Sequence, residues 1–576
     1  MNNIFKFISA VIITSTMFSC GGDKTNNETK NSDNQPQNGG NINIAINRQV
    51  LNFDPIKVTD GYSSQVLGQL YEGLVRFNEN DLSIEPLLAE SWEVDENGLT
   101  YTFKLKKGVY FHDNNCFNDG KGRELKADDV LYSFNRVCNS KINYAYSLIK
   151  DKLMGAQASF QTPEFKNVSG VKVIDDYTVS FTLTKPSSNF LQTLATVSLA
   201  IVPKEAFDKE TFEIVGTGPF IFDKTAKKVT KITLNRNPNY HLVDADGNKL
   251  PYLDAVTFHY VENSQDRLDL FEKNKLDIII DLPSASIKNV VENQISDFES
   301  KPPKYILGRY PELVTTYLEF NTKTEPFKNV KVRQAIAMAI DKVKLVDVIL
   351  NGEAYGPALN GIVPPAIKGY DYESVIGIEY SIEKAKKLLA EAGYKNGDGL
   401  PIIKFYISGN DNQNLRIALE IQKQLLTDLN VNTEIVTVSF AEKLEMDKTG
   451  YGSMGISAWL ADYPSPDNFL NIGYGGYVPA SLSEPSFPNS SRFSNRDFDA
   501  YFEQATTSTD ELKRNELCLK AEQILINEAP IIPLWYNENY RLFQSNLIDY
   551  RPNVMHIHNL TKVRIGKQEQ EVVSVK

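Results

Sequence analysis

The amino-acid sequence predicts a mixed α/β protein that contains more than one structural unit. The chain has 576 residues, and at about 150 residues per domain this length corresponds to three or four units. Strand patterns dominate the first third, whereas helices and short apolar strands alternate in the second half. The contents of 41% hydrophobic and 23% charged residues are typical of a chain that buries large cores. Wholesale disorder is therefore excluded.

The strands of the first third are predicted from alternation between apolar and polar residues. Residues 41–48 place Ile42, Ile44 and Ile46 on one face, which is typical of a half-buried strand. Residues 99–105 alternate in the same way. Residues 171–183 predict a hairpin that turns at Asp175 and Asp176.

Helical spacing first appears near residue 130. One face of a predicted helix holds Val130, Leu131, Phe134 and Val137, and its first turn holds Asp128 and Asp129. These two carboxylates lie near the positive end of the helix dipole, so we expect them to cap the helix rather than to take part in catalysis.

The second half alternates helices with strands. Ser381 is expected to cap a helix that ends at Gly393. Further helices are predicted at residues 329–341, 414–429 and 510–527, and strands at residues 402–407, 431–438 and 531–535. This alternation predicts an α/β architecture.

The first forty residues predict export and membrane attachment. Residues 1–19 carry one cation, Lys6, and a mostly apolar run of twelve residues, which is too short to span a bilayer and is typical of a signal peptide. Cys20 follows Ser19 as at the cleavage site of a bacterial lipoprotein, where the cysteine carries the lipid. A plain secretory signal and an uncleaved anchor are the alternatives. Residues 21–41 contain almost nothing to bury and predict a disordered tether.

The cysteines of the sequence allow one possible disulfide. Export would permit disulfides, and Cys116 and Cys138 could pair or could be two buried thiols. Cys518 lies on a predicted helix and is expected to be a small core residue.

Composition and motifs give no sign of an enzyme or of a nucleic-acid partner. The net charge of −12 should repel phosphate backbones. The chain has no G-x-S-x-G, Walker, G-x-G-x-x-G or H-E-x-x-H motif. His556 and His558 have a spacing that metal ligands could use, but no third ligand lies near in sequence. We therefore predict no catalytic residue, no cofactor and no metal, although a pair of carboxylates that hydrolyses glycosides is invisible to sequence.

An ordered series of short motifs carries a family resemblance. Residues 88–92 read LAESW, followed by LTYTFKLKKGVYFHD at 99–113 and ELKADDVLYSFNRV at 124–137. Then come VGTGPF at 215–220, NRNPNY at 235–240, PYLD at 251–254, FNTKTEPFKNVKVRQAIAMAID at 320–341, AEAGY at 390–394 and WLADYPSPDNFL at 459–470. The series resembles extracytoplasmic solute-binding proteins of the peptide/nickel class, the receptors of oligopeptide and dipeptide ABC importers.

The resemblance implies a two-lobed, periplasmic-binding-protein type II-like fold (cluster C) with a two-strand hinge. Lobe I would comprise residues 42–77, 189–318 and 532–576, and an extra subdomain at residues 78–188 would be inserted in it. Lobe II would comprise residues 319–531. The ligand would be enclosed between the lobes.

The same resemblance implies a ligand site at the WLAD segment. The strand of Ser457, Ala458, Trp459 and Leu460 would offer main-chain groups to a peptide, and Asp462 would bind the peptide ammonium, as a charge-assisted hydrogen bond. Two alternatives stay open: Asp462 could instead open the Pro-rich turn that follows, and Trp459 could pack rather than cover the ligand.

The other candidate residues are less specific. Tyr62 and Ser63 could line the opposite wall of the cleft. Ser408 and Ile456 stand where some relatives carry an arginine for the peptide carboxylate, so the sequence names no carboxylate anchor. Two arginines are given structural roles: Arg416 is expected at the surface or between lobes, and Arg333 in an interlobe or cap ion pair.

Together these features predict a lipid-anchored, monomeric substrate-binding protein that delivers peptides to ABC importer permease subunits. Oligopeptides are favoured over strictly dipeptides. The alternatives within the class are a nickel chelate, an oligosaccharide or another small solute. Outside the class they are an exported hydrolase and a purely structural surface lipoprotein.

Overall fold

The structure is a computed structural model that describes residues 39–140, 143–161, 167–208, 212–225, 230–280, 282, 297, 299–300, 303–409, 412–555 and 558–566. The predicted signal peptide, Cys20 and most of the tether lie outside the described residues. Gly39 and Gly40, at the end of the predicted tether, already contact the body, since their N–H groups donate to Tyr252 O and Asp254 Oδ2, both at 2.8 Å. Among the described helices, none combines the length and the apolar character that a membrane span requires.

Nineteen strands are described. They are β1 Asn41–Ile46, β2 Val75–Phe77, β3 Ile84–Pro86, β4 Ala89–Val94, β5 Thr100–Leu105, β6 Val171–Asp175, β7 Thr178–Thr182, β8 Phe220–Phe222, β9 Lys231–Arg236, β10 Ala255–Tyr260, β11 Ile278–Ile279, β12 Tyr305–Phe320, β13 Gly356–Pro357, β14 Ile403–Ser408, β15 Thr433–Val438, β16 Met454–Leu460, β17 Ile531–Gln544, β18 Leu547–Ile548 and β19 Arg564–Ile565.

The described α-helices are α1 Gly61–Leu67, α2 Ala127–Asn139, α3 Ala145–Ile149, α4 Ala156–Gln161, α5 Phe190–Leu194, α6 Lys204–Phe207, α7 Ser264–Glu272, α8 Val330–Ala339, α9 Lys342–Lys344, α10 Ile382–Glu391, α11 Asn412–Leu429, α12 Phe440–Thr449, α13 Pro466–Leu470, α14 Arg496–Thr507 and α15 Glu511–Glu528. Short 3₁₀ helices lie at Pro55–Lys57, Val197–Leu199, Tyr372–Ser374, Lys395–Gly397, Asn471–Gly473 and Gly475–Tyr477, and a π-helical turn lies at Leu345–Ile349.

One sheet of eleven strands runs through the molecule in the order β15-β14-β16-β12-β17-β11-β1-β10-β9-β8, with β13 paired to β17. β1 pairs in parallel with both β10 and β11, so it lies inside the sheet and its isoleucines are buried. The predicted first strand is confirmed, and both of its faces are buried, because a second apolar cluster with Phe271 and Ile279 covers Ala45 on the face opposite the isoleucines.

Two long strands connect the halves of this sheet. β12 and β17 are antiparallel: Tyr305–Pro311 pairs with Glu538–Gln544, and Thr315–Glu319 pairs with Ile531–Tyr536. The register breaks between Pro311 and Thr315. A break in the ladder lets a strand pair bend, so residues 312–314 lie where one half of the sheet passes into the other.

We call the part with β1, β8–β11 and the first half of β12 lobe I, and the part with β13–β16 and the second half of β12 lobe II. Each has its own buried apolar cluster, one around β1 and β10 and another around β14, α8 and α11. The chain boundaries given above for the lobes stay a prediction. The helices interleaved with β14–β16 agree with the α/β pattern expected for the second half.

A separate four-stranded sheet, β4-β5-β7-β6, forms the inserted subdomain. Its core holds T-shaped ring contacts of Phe181 with Phe103 and Phe134. The predicted hairpin is confirmed as β6 and β7. The predicted capping role of Asp129 is also confirmed, because its side chain accepts a hydrogen bond from Lys126 N at 2.9 Å.

The structure decides between the two alternatives for Cys116 and Cys138: they form no disulfide. Cys138 is a fully buried thiol, and burial raises its pKa to about 12. One local prediction needs correction. Ser381 stands at the N-cap of α10, but its side chain makes no capping hydrogen bond. Cys518 is buried in the core, as expected.

Candidate ligand-binding site

A large cavity lies between the two lobes. Its volume is about 2190 Å³, well above the range of about 300 to 1,000 Å³ that is usual for small-molecule sites. Lobe I contributes the first turn of α1, and lobe II contributes β16 and the first turns of α11 and α12. The cavity therefore has room for a ligand larger than most metabolites.

The lobe II wall of the cavity presents an open strand edge. β16 pairs with β12 along its whole length, from Met454 to Leu460. On its other side, β14 pairs only with Met454 and Gly455, so in the part of the chain that the structure describes residues 456–460 have no strand neighbour there. Ser457, Ala458, Trp459 and Leu460 all line the cavity. Such an edge can pair with an extended chain through main-chain hydrogen bonds.

Asp462 lies two residues beyond this edge and lines the cavity. Its Oδ2 accepts hydrogen bonds from Tyr144 Oη at 2.5 Å and from Asn468 Nδ2 at 3.2 Å. Burial raises the pKa of the carboxyl, although the two hydrogen bonds and the charge of Lys152 oppose the rise. Among the described residues, no basic nitrogen lies within ion-pair distance of it. The carboxylate is thus neither turned to bulk water nor neutralised by a cation.

Asn468 orients the residues of the WLAD segment. It is fully buried in α13, and its Oδ1 accepts hydrogen bonds from Trp459 Nε1 at 2.9 Å and from Asp462 N at 3.0 Å. The Trp459 side chain is 7% exposed and packs near the Phe487 ring. Trp459 therefore serves mainly as part of the wall, with one edge towards the cavity.

The opposite wall comes from α1. Tyr62 and Ser64 line the cavity, whereas Ser63 is fully buried and its Oγ accepts a hydrogen bond from Leu51 N at 3.1 Å. The side chain of Ser63 therefore does not reach the cavity, and its neighbour Ser64 takes the position expected of it. Asp60 caps α1 by accepting a hydrogen bond from Ser63 N. In the helical turn that this bond fixes, the Ser63 side chain faces the protein interior.

The segment that directly follows the inserted subdomain touches lobe II behind Asp462. Asn189 Nδ2 donates to Tyr463 Oη at 2.9 Å and also to Asp467. Beside these residues Lys152 donates to Thr193 Oγ1 at 3.0 Å, and burial lowers the pKa of Lys152 to about 8. The Asn189 contacts therefore connect lobe I to lobe II on the side where the carboxylate lies.

Sequence reasoning missed Tyr144 and Asn468 as site residues. Asn468 follows a Ser-Pro pair in a short helix, a local signal that could have suggested a positioning role. Tyr144 is 318 residues away from Asp462 along the chain, and nothing in its local sequence indicates this contact.

The arginines have different surroundings. Arg416 is exposed and lines the cavity on α11, and Arg48 lines it with its guanidinium 4.6 Å from the centroid of the Phe440 ring. Arg333 does not line it. Its guanidinium donates to Glu528 O at 2.6 and 3.0 Å, at the end of α15, which is the cap role predicted for it.

Metal ligation finds no support in the described part of the chain, where no group of three or more His, Cys, Asp or Glu side chains could hold an ion. His556 lies outside the described residues. His558 is buried and its Nδ1 is 3.4 Å from Tyr550 Oη.

Comparisons with known proteins agree with this geometry. Heme-binding protein A of Haemophilus influenzae is 31% identical over 503 residues, covering 85% of this chain and 86% of the relative. The dipeptide-binding protein of Escherichia coli is 29% identical and covers 89% of this chain and 92% of the relative. The solved structure of the periplasmic binding protein DppA from Helicobacter pylori, in complex with the peptide STSA, is 29% identical with a TM-score of 0.78, and the match covers 92% of this chain and 99% of that one.

The fold class predicted from the sequence is confirmed by this structural match. Residues 83–479 match the profile of the bacterial extracellular solute-binding proteins, family 5. Members of this family are transport components that bind solutes without transforming them. The chain therefore belongs to family 5 of the bacterial extracellular solute-binding proteins.

Proposed function

We propose that this protein is a lipid-anchored receptor that captures peptides with a free amino terminus and delivers them to an ABC importer. The observation that carries the proposal is the Asp462 carboxylate, which faces the cavity at the end of an open strand edge. A peptide ammonium would supply the cation that this carboxylate lacks, and the strand edge would bind the main chain that all peptides share.

The names of two relatives support a peptide ligand. The Escherichia coli relative is a dipeptide-binding protein, and the Helicobacter pylori structure holds a four-residue peptide. The relative named for heme binding is the reason to test a tetrapyrrole as well.

The length of the open edge favours oligopeptides over strictly dipeptides. Residues 456–460 extend over roughly 16 Å at about 3.3 Å per residue, which matches an extended ligand of four to five residues. A peptide whose ammonium lies at Asp462 would run along the edge towards Ser408, because Tyr406 and Gly455 are neighbours in parallel strands.

Arg416 is our candidate for the carboxylate anchor of such a peptide. The Asn414 side chain donates to Ser408 O at 3.3 Å, so the first turns of α11 lie beside the far end of the edge. Arg416 is in those turns and faces the cavity. A guanidinium binds a carboxylate through two parallel hydrogen bonds.

The ligand can be identified by native mass spectrometry of protein purified from its own host. Co-purified peptides of mixed sequence are the expected result. A homogeneous sugar, a nickel chelate or a tetrapyrrole would overturn the peptide assignment. Incubation with synthetic peptides should return them intact, whereas steady release of fragments would show a hydrolase.

Attachment and assembly are tested separately. Cys20→Ala should abolish incorporation of labelled fatty acid and release the protein from membranes, while peptide binding by the soluble body is unchanged. Light scattering of that body should give a monomer. Retention of the label in the Cys20→Ala protein would refute the lipid anchor.

Binding of the peptide would be accompanied by a rotation of one lobe relative to the other, with residues 312–314 as part of the hinge. A ligand that contacts both walls favours the closed arrangement over open ones. The importer would then recognise the closed protein, and no chemical step is needed.

A further inference from the structure

The wall of the cavity carries an excess of negative charge. Ten acidic and five basic residues line it among the described part of the chain. In a cleft with walls of low dielectric constant, such an imbalance raises the local concentration of cations and favours cationic ligands. One cluster on lobe II concentrates this charge next to the open strand edge.

Glu319 is the central residue of this cluster. It lies on β12 directly opposite Gly455 of β16, and it lines the cavity although it is only 8% exposed. No hydrogen-bond donor to its Oε2 is found among the described residues. A buried carboxylate oxygen without a donor is costly, so this group is the part of the wall that a ligand cation would satisfy best.

Helix α12 contributes an ion pair beside Glu319. Lys443 Nζ donates to the two oxygens of Asp447 at 2.5 and 2.7 Å and to Ser457 Oγ at 3.2 Å. A methyl group at Gly455 would come within 2.9 Å of Lys443 Nζ, so the ammonium lies over Gly455, next to Glu319. Two carboxylates therefore share one ammonium at this place.

We propose that Glu319, with Asp447 and Lys443, forms a subsite that selects a Lys or Arg side chain of the bound peptide. This inference rests on the proposed peptide-binding function and specifies its ligand class. The ammonium or guanidinium of the ligand supplies the second cation that the pair of carboxylates needs. Because the cluster surrounds Ser457 on the open edge, the selected side chain belongs to the third or fourth residue of a peptide whose amino end lies at Asp462.

The selectivity should depend on pH. Burial and the charge of Asp447 raise the pKa of Glu319 to about 7, and Lys443 opposes the rise. The titratable groups that face Glu319 are Asp447 and Lys443 from α12 and Tyr317 from its own strand, and the remaining neighbours are the hydroxyls of Ser457 and Ser490. Glu319 is neutral below its pKa and charged above it, so the preference for a cation should grow from pH 6 to pH 8.

The test compares pentapeptides that differ only in charge. Alanine pentapeptides receive either lysine or norleucine, its uncharged analogue, at positions 2, 3 and 4 in turn, and calorimetry measures each Kd at pH 6 and pH 8. At position 3 or 4 the lysine peptide should bind at least tenfold more tightly at pH 8, and the ratio should fall at pH 6. Protonation of Asp462 changes the Kd of the lysine peptide and of the norleucine peptide by the same factor, so it cancels in the ratio of the two Kd values.

Variants assign the effect to the cluster. Glu319→Gln should bring the lysine-to-norleucine ratio close to one at both pH values, because the lysine peptide loses the charge that it pairs with. Glu445→Gln is the matched control, since Glu445 is an exposed acidic residue of the same helix α12 that does not line the cavity, and it should leave the ratio as in the wild type. If Glu319→Gln does not fold, Asp447→Asn serves as the second variant and should also lower the ratio.

Three results separate the two hypotheses. A wild-type ratio near one at every position, or a ratio that Glu319→Gln leaves unchanged, overturns the subsite while peptide binding itself stands. Failure of every peptide to bind the wild-type protein overturns the proposed function instead.

Discussion

Replacing Asp462 with asparagine tests the proposed ammonium site most directly. Asparagine has nearly the same shape, so its side-chain oxygen can still accept the hydrogen bond that Tyr144 donates at 2.5 Å. The main-chain bond from Asp462 N to Asn468 Oδ1, at 3.0 Å, does not involve the side chain. The substitution therefore removes the negative charge and little else.

The size of the effect follows from the surroundings of the carboxylate. At an effective dielectric constant of about 20, an ammonium about 3 Å away gains roughly 5 kcal/mol of Coulomb energy before the cost of desolvation. Truncation of one partner of such a buried pair costs about 2 to 5 kcal/mol. Because the Asp462 carboxyl lies in the cavity wall, where Tyr144 and Asn468 donate to it and hold it in place, we expect a loss of at least about thirtyfold in affinity.

The assay is calorimetric titration with one tetrapeptide in two forms, with a free or an acetylated amino terminus. Asp462→Asn should weaken binding of the free form at least about thirtyfold and leave the weak binding of the acetylated form within about threefold. Equal losses for both forms would mean that Asp462 acts on the fold and not on the ammonium. A loss below threefold for the free form would refute the anchor.

Three further predictions concern neighbouring parts of the molecule. In Tyr144→Phe the Asp462 carboxyl loses the hydrogen bond that lowers its pKa, so it becomes protonated at a higher pH. Binding of peptides with a free amino terminus, measured from pH 8 downwards, should therefore be lost at a higher pH than in the wild type. An unchanged pH profile would contradict the contact. Arg416→Gln should weaken binding of peptides with a free carboxylate at least about tenfold, by loss of the charged hydrogen bonds that the guanidinium donates. It should leave binding of carboxamidated peptides unchanged, and calorimetry can distinguish the two. Gly216→Ala should lower the thermal midpoint by several degrees or prevent folding, because its methyl group would lie 2.1 Å from Leu70 O, a backbone atom that cannot move aside easily. Gly356→Ala is the control, because among the described residues no atom lies within 4 Å of its added methyl group and its backbone, like that of Gly216, is outside the left-handed region; an equal effect of both would refute the close-contact explanation.

Local patterns predicted many of the elements well. The helix expected at residues 510–527 is found at Glu511–Glu528, with Asp510 as its cap. The strand expected at 431–438 is found at Thr433–Val438. These segments have a clear apolar period and a polar residue that caps or bounds them, so their sequence and their final environment agree.

The strands that connect the lobes were not predicted at their full length. The segment expected to end at residue 535 continues as a strand to Gln544, because its polar second half pairs with the first half of β12. Asn537 and Glu538 face the cavity there, so polar residues are accommodated in a strand that is interior to the sheet. A search for alternating apolar and polar residues cannot identify such a strand. Both of its faces are buried and part of it lines a polar cavity, so its apolar residues do not recur at every second position.

The sequence by itself indicated the family and the fold class, and it offered Asp462 as the candidate anchor. These conclusions rest on motifs that are local and ordered along the chain. Tertiary structure decided the rest: that Tyr144 binds this carboxylate from 318 residues away, that Ser64 and not Ser63 faces the cavity, and that Glu319, Asp447 and Lys443 meet around Ser457. The physical reason is that a binding site is made of side chains from separate elements, and their distances depend on how strands pair and lobes close rather than on any local preference.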